Sequence, residues 1–172
     1  MREENKTKSQ LIEELAHTQQ LLLALSQAAQ AVQRARTPEA VFYAIDEQAT
    51  RLGMDATVFT LSDDRTHLIV SRLTLKSSLM RAVEKLTGLP AEGYRFSLKP
   101  GGFFQRMVAN GETVFSHGDA AHSAEMLPRP VRSLAGRLMD LVGWRQAIYA
   151  PLTIGGEVWG LLTINGCRPD RV

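Results

Sequence analysis

Apolar and polar residues alternate along this chain with more than one rhythm, and each rhythm predicts an element. Residues 3–35 run without proline or glycine. Within them Leu11, Leu15, Thr18, Leu22, Leu25, Ala29 and Val32 recur at alternating four- and three-residue steps. That predicts one long helix with a heptad seam, Leu15, Leu22 and Ala29 at a and Leu11, Thr18, Leu25 and Val32 at d. The seam points to a parallel homodimer, coiled-coil-like, through residues 11–35. The plainer reading is an amphipathic helix packed on its own domain, and both can hold. Thr37-Pro38-Glu39 opens a second helix. Threonine caps free amides, proline suits the first turn, and glutamate suits the positive end. Its stripe is Val41, Phe42, Ile45, Ala49 and Leu52, and Gly53 stops it.

The rhythm then shortens. Met54–Leu61 and His67–Leu73 read as strands around a turn at Asp63-Asp64-Arg65. Ser77–Thr87 fits a helix on Leu79, Val83 and Leu86, ended by Gly88 and Pro90. Tyr94–Leu98 makes a short strand, Phe103–Ala109 a helix, and Thr113–Ser116 another strand. Residues 117–125 are polar and predict a loop. Pro128 and Pro130 keep the chain irregular before a helix over Val131–Val142.

Residues 144–166 give the strongest β signal. Gln146–Leu152 and Glu157–Ile164 are rich in Ile, Leu, Val, Tyr and Trp, with Gly155-Gly156 as the hairpin turn between them. Pro151 belongs at a strand end, an edge or a bulge, and Gly160 implies close backbone approach. Ile148, Ala150 and Leu152 share one face, while Ala147, Tyr149 and Pro151 share the other. The first face is expected to pack for stability, with Ile148 inward, and Tyr149 is expected to look into a cavity.

The run Ala150-Pro151-Leu152, Gly155-Gly156-Glu157, Gly160-Leu161-Leu162 resembles the Pro-Leu…Gly…Gly-Leu-Leu hairpin of GAF domains. The element order from about Leu22 to Pro169 is similar too. The resemblance implies an α+β fold, a GAF-like central antiparallel sheet of five to six strands flanked by helices. One face would carry the N-terminal helices; residues 77–142 would roof any pocket on the other. It implies residues 1–36 as a signalling and dimerisation helix and 37–172 as a GAF domain lacking its usual C-terminal helix. The function implied is that of a sensory module of a bacterial two-component system, most often a histidine kinase. Such a module binds a small molecule and passes its state through a helical dimer to an output domain. A ligand-free dimerisation scaffold is the alternative.

Composition narrows the field. Hydrophobic residues at 44% and charged residues at 22% suit a chain that can bury a core. The net charge of +2 comes from scattered basic residues, so no nucleic-acid face is expected. No apolar run is long enough to span a membrane, and the charged start is no signal peptide. The one cysteine, Cys167, rules out an intramolecular disulfide and fits a reducing cytoplasm.

Candidate chemistry is thin. Phe96, Phe103, Phe104, Met107, Met126, Trp144 and Tyr149 can line a ligand pocket, and Arg145 can meet an acidic group. Plain core is the usual fate of such an apolar set. His117, Asp119, His122 and Glu125 are metal-capable, yet their spacing matches no metal motif, and a solvated loop is expected. Gly101 and Gly102 of Lys99-Pro100-Gly101-Gly102 are expected simply to turn the chain; free amides before a helix can also meet an anion, but the ending of a P-loop is absent. No nucleophile elbow is present, so no enzyme activity is expected.

The resemblance prunes cofactors further. The Asn-Lys…Phe…Asp-Glu pattern of cyclic-nucleotide relatives is absent. Cys167 is followed by Arg168 rather than histidine, against covalent bilin. His117 or His122 could serve haem, but nothing singles either out. Relatives that reduce methionine sulfoxide use several cysteines.

Overall fold

The computed structural model describes residues 7–9, 12, 30, 37–51, 53–116 and 120–167. Between residues 11 and 35 only Ile12 and Gln30 are described, so the leucine seam lies outside the described residues. The elements in order are α1 (Pro38–Arg51), β1 (Met54–Leu61), β2 (His67–Leu73), α2 (Ser77–Thr87), β3 (Arg95–Ser97), α3 (Phe103–Asn110), β4 (Val114–Ser116), α4 (Ala120–Met126), a 3-10 turn (Arg129–Leu134), α5 (Ala135–Val142), β5 (Trp144–Ile154) and β6 (Glu157–Cys167). The chain divides into two compact units, Met1–Leu52 and Gly53–Val172.

In the first unit, α1 begins as its residues dictate. The Ala40 amide donates to Thr37 Oγ1 at 3.2 Å, satisfying one of the orphan donors of the first turn. Ala44, Ile45, Gln48 and Ala49 are its buried residues, so the stripe is turned slightly from the expected one; Val41 and Phe42 are half-buried.

The second unit is built on an antiparallel sheet of six strands in the order β3-β2-β1-β6-β5-β4. β5 and β6 pair over their length, from Trp144 opposite Cys167 to Ile154 opposite Glu157. Gly155 and Gly156 turn between them at φ 59° and 88°, a pair of positive values that glycine tolerates without a Cβ clash. Pro151 falls inside β5, but β4 pairs only as far as Tyr149, so the strand is an edge on that side where the missing N–H costs nothing. β1 fills the middle of the sheet, with Ala56, Thr57, Val58 and Phe59 all buried. At Gly160 a Cβ would run into the Phe59 carbonyl oxygen, so only glycine lets β6 and β1 meet there.

The β1–β2 turn is self-capped. Asp64 accepts from the Ser62 hydroxyl and from the Thr66 amide, and Arg65 takes φ 55°. These hydrogen bonds hold the Asp64 carboxyl down at about 2, with a smaller pull from Arg95.

β1, β2 and α2 coincide with the elements the sequence predicts; β3 and β4 are shorter, and β5 and β6 longer. Two segments differ in kind. Ala120–Met126, expected as loop, is a helix, in keeping with its three alanines, glutamate and methionine. The single helix expected over Val131–Val142 splits into a 3-10 turn that starts at Pro128-Arg129-Pro130 and a shorter α5. Ile148, expected inward, is 45% exposed beside its cross-strand neighbour Phe115 at 54%.

Candidate ligand cavity

One face of the sheet carries a dense aromatic block. Phe96 meets Phe59 and Phe104 edge to face, with ring centroids 5.9 Å apart for Phe59–Phe96 and 5.2 Å for Phe96–Phe104. Leu68, Val70, Met107, Val158 and Leu161 complete this core. Edge-to-face pairs match the positive rim of one ring to the negative face of the next, which adds to simple burial.

Beside the block the packing opens. A cavity of about 100 Å³ lies between the sheet and the helices α2, α4 and α5. Thr57, Tyr149, Thr163 and Asn165 belong to its floor, while Val83, Met126 and Leu138 belong to its roof. Period-two alternation explains the floor: Thr57, Thr163 and Tyr149 stand opposite one another on β1, β6 and β5, so they share a face.

Three polar contacts brace the cavity. The Tyr94 hydroxyl donates to the Met126 carbonyl at 2.8 Å, fastening the end of α4. Burial of the Tyr94 phenol raises its pKa above the ordinary value. Ser123 Oγ donates to Met139 Sδ at 2.9 Å, joining α4 to α5. Trp144 Nε1 donates to Asp55 Oδ2 at 2.7 Å, closing one end of the sheet.

The fold itself is found in solved structures. The GAF domain of A. aeolicus nlh2 in an inactive state superposes with a TM-score of 0.57 at 15% identity, covering 90% of this chain and 84% of that one. The fold is the GAF fold. A GAF domain from the phosphoenolpyruvate-protein phosphotransferase ptsP of Coxiella burnetii gives 0.54 at 18% identity, over 87% and 79%. The GAF domain of a two-component sensor histidine kinase from Bacillus halodurans gives 0.50 at 11% identity, over 78% and 80%. No protein-family model and no curated protein sequence matches the chain.

Within this GAF fold the expected site residues divide. Met126, Trp144 and Tyr149 line the cavity. Phe96, Phe104 and Met107 are buried in the aromatic core. Phe103 packs against that core and bridges outward, stacking on His122 at 3.6 Å and meeting Tyr149 edge-on at 4.9 Å. The Arg145 side chain lies outside what is described, as do His117 and Asp119.

At Lys99–Gly102, where an anion is the lesser reading, the free amide has an internal partner. Glu125 Oε2 accepts from the Phe103 amide at 2.9 Å, so a carboxylate from α4 occupies the N-terminus of α3. Gly102 makes room for it, since a Cβ there would overlap Glu125 Oε1. Lys99 stands close enough for its ammonium to be pushed down by burial and by Arg132, with Glu125 opposing. His122 and Glu125 thus serve packing and capping. Among the described residues no group of His, Cys, Asp and Glu is placed to hold a metal ion, and no helix is long and apolar enough to cross a membrane.

Sequence reasoning passed over Thr57, Thr163 and Asn165. A signal was present: Leu161, Thr163 and Asn165 fall on one face of β6, so the face that starts apolar turns polar toward Gly166.

Proposed function

We propose that this chain is a regulatory GAF module of a larger bacterial signalling protein, with a sensor histidine kinase as the favoured parent. It binds a small molecule in the cavity and passes its state to a helical homodimer and an output domain. The cavity carries this reading. Helices α2, α4 and α5 leave about 100 Å³ open over the sheet, where a domain kept only as a scaffold would close to ordinary interior density. The shared fold of the Bacillus halodurans sensor kinase domain supports the choice of parent. Residues 1–36 act as the dimerisation and signalling helix and residues 37–172 as the sensor. The module works in the cytoplasm and carries out no reaction itself. Its ligand shifts the dimer only by binding one arrangement more tightly than the other.

Two measurements test this. Sedimentation equilibrium of the whole chain should give homodimers at about tens of micromolar, where a modest interface associates. Joint Leu15→Glu and Leu22→Glu changes should give monomers that keep the sheet's circular dichroism. A monomeric wild type at that concentration removes the relay. Val83→Phe should fill the cavity from its roof and lock the parent's output in one state. Unchanged output in a folded variant would leave only a scaffold.

A further inference from the structure

The cavity floor holds two polar groups that the protein leaves unanswered. Thr163 and Asn165 are 3% and 2% exposed, yet among the described residues Thr163 Oγ1 and Asn165 Nδ2 have no hydrogen-bond partner. Buried polar atoms in folded proteins are paired in the great majority of cases, so two unpaired ones in a single cavity call for a partner. They stand two residues apart on β6, about 6.6 Å along the strand, so one small molecule can span both.

The rest of the lining fixes the charge. Among the described residues it consists of aliphatic, aromatic, methionine, hydroxyl and amide side chains, with no Asp, Glu, Lys, Arg or His. An ion brought into such a site loses its hydration and finds no counter-charge, which is far costlier than burying a neutral polar group. Volume fixes the size. A cavity of about 150 Å³ holds benzene, so the ≈ 100 Å³ here suits a molecule of roughly four to six non-hydrogen atoms.

We infer that the cavity selects a small uncharged organic molecule whose carbonyl or hydroxyl oxygen accepts from Asn165 Nδ2 and whose other end meets Thr163 Oγ1. This rests on the cavity being the sensory site. Organic anions and ammonium ions of the same size are rejected by desolvation alone.

The test uses the whole chain with four compact probes: cyclopentanone, cyclopentane, cyclopentylamine and cyclopropanecarboxylate, at neutral pH. Thermal shift and proton–nitrogen NMR of the Asn165 side-chain amide report binding. Cyclopentanone should raise Tm and move the amide resonances. Cyclopentane should bind more weakly, and the two ions should do neither. Asn165→Leu should weaken cyclopentanone about two- to tenfold, the usual effect of one hydrogen bond, while Thr163→Val, which meets only its hydrocarbon end, should not weaken it. Both should keep or raise the ligand-free Tm, because each removes an unpaired polar atom. Two shape-preserving variants guard against one that fails to fold. If either ion binds at these resonances as tightly as cyclopentanone, or if Asn165→Leu binds it as wild type does, the inference is overturned while the sensor reading stands. If no probe moves any cavity resonance, both fall.

Discussion

Gly160→Ala offers a direct measure of how tightly the sheet is closed. Residue 160 sits on β6 opposite Thr60, in the ladder that joins β6 to β1. A Cβ there would overlap the Phe59 carbonyl oxygen and come within 3.4 Å of Thr60 Cα. Those obstacles are backbone atoms of a strand paired on both sides, so no side chain can swing away. Replacing a strand glycine by alanine ordinarily gains about 0.5–1 kcal/mol in chain entropy. Forcing an extra carbon into a packed interior costs about 1–3 kcal/mol or somewhat more. The obstruction is severe enough to put the clash at the upper end, for a net loss of about 2 kcal/mol, or a Tm lower by roughly 4–8 °C in a chain of this size. Gly136 is the control. It lies in α5 with nothing within 4 Å of an added Cβ and no positive φ, so Gly136→Ala should gain about 0.5–1 kcal/mol. Urea unfolding followed by circular dichroism reads both, with equal m-values as the condition for comparison. A neutral or stabilising Gly160→Ala would refute the reasoning, because it would mean that the two central strands have slack.

Other perturbations read single contacts. Tyr94→Phe removes the donor to the Met126 carbonyl and should cost about 0.5–1.5 kcal/mol in urea melts. Because burial raises the Tyr94 pKa, the wild type should lose stability as pH rises from the unfolded value near 10 toward the folded one, and Tyr94→Phe should lose less over that range. Asp64 should titrate by NMR at about 2. Its contribution is present above the ordinary value near 3.8 and fades as pH falls toward about 2, and Asp64→Asn should flatten that acid limb. Glu125→Ala strips the cap from α3 and should cost about 0.5–2 kcal/mol, with faster hydrogen exchange at the Phe103 amide as its local sign. A protected Phe103 amide in that variant would show that the carboxylate is not what holds it.

The sequence made the sheet legible where turn chemistry was strong. Asp63-Asp64 and Gly155-Gly156 bound their strands, and Gly53, Gly88 and Pro90 stop their helices, because these residues act on their own few neighbours. What stayed hidden depends on distant partners. Nothing local says that Glu125 leaves its own helix to cap another 22 residues earlier in the chain, and the histidines and glycine near Ala120 outweigh helix formers in a local reading. The outward position of Ile148 is set by register against β4 and β6, and alternation alone cannot tell which face is which. The aromatic residues were readable as apolar but not as core or wall, since that division follows from where α3 lands on the sheet. Thr163 and Asn165 were readable as polar positions on an otherwise apolar face, a local irregularity whose meaning needs the cavity above it.

The strand order has a consequence for how the domain is made. β1 emerges early in synthesis, but its neighbour β6 follows roughly a hundred residues later, about 5–20 s at ordinary elongation rates. Until then β1, β2 and β3 form a half-sheet whose edge strand β1 has an unpaired side, and β4 and β5 wait for the same missing strand. β6, the last strand to be synthesised, must fit between the two halves and zip both at once. Pairing of this long range is slow, and an open apolar strand is prone to join the wrong chain meanwhile. The β1–β6 seam is therefore the step at which a nascent chain is committed, and a variant that hinders it should lower the yield of folded protein more than its equilibrium stability would suggest.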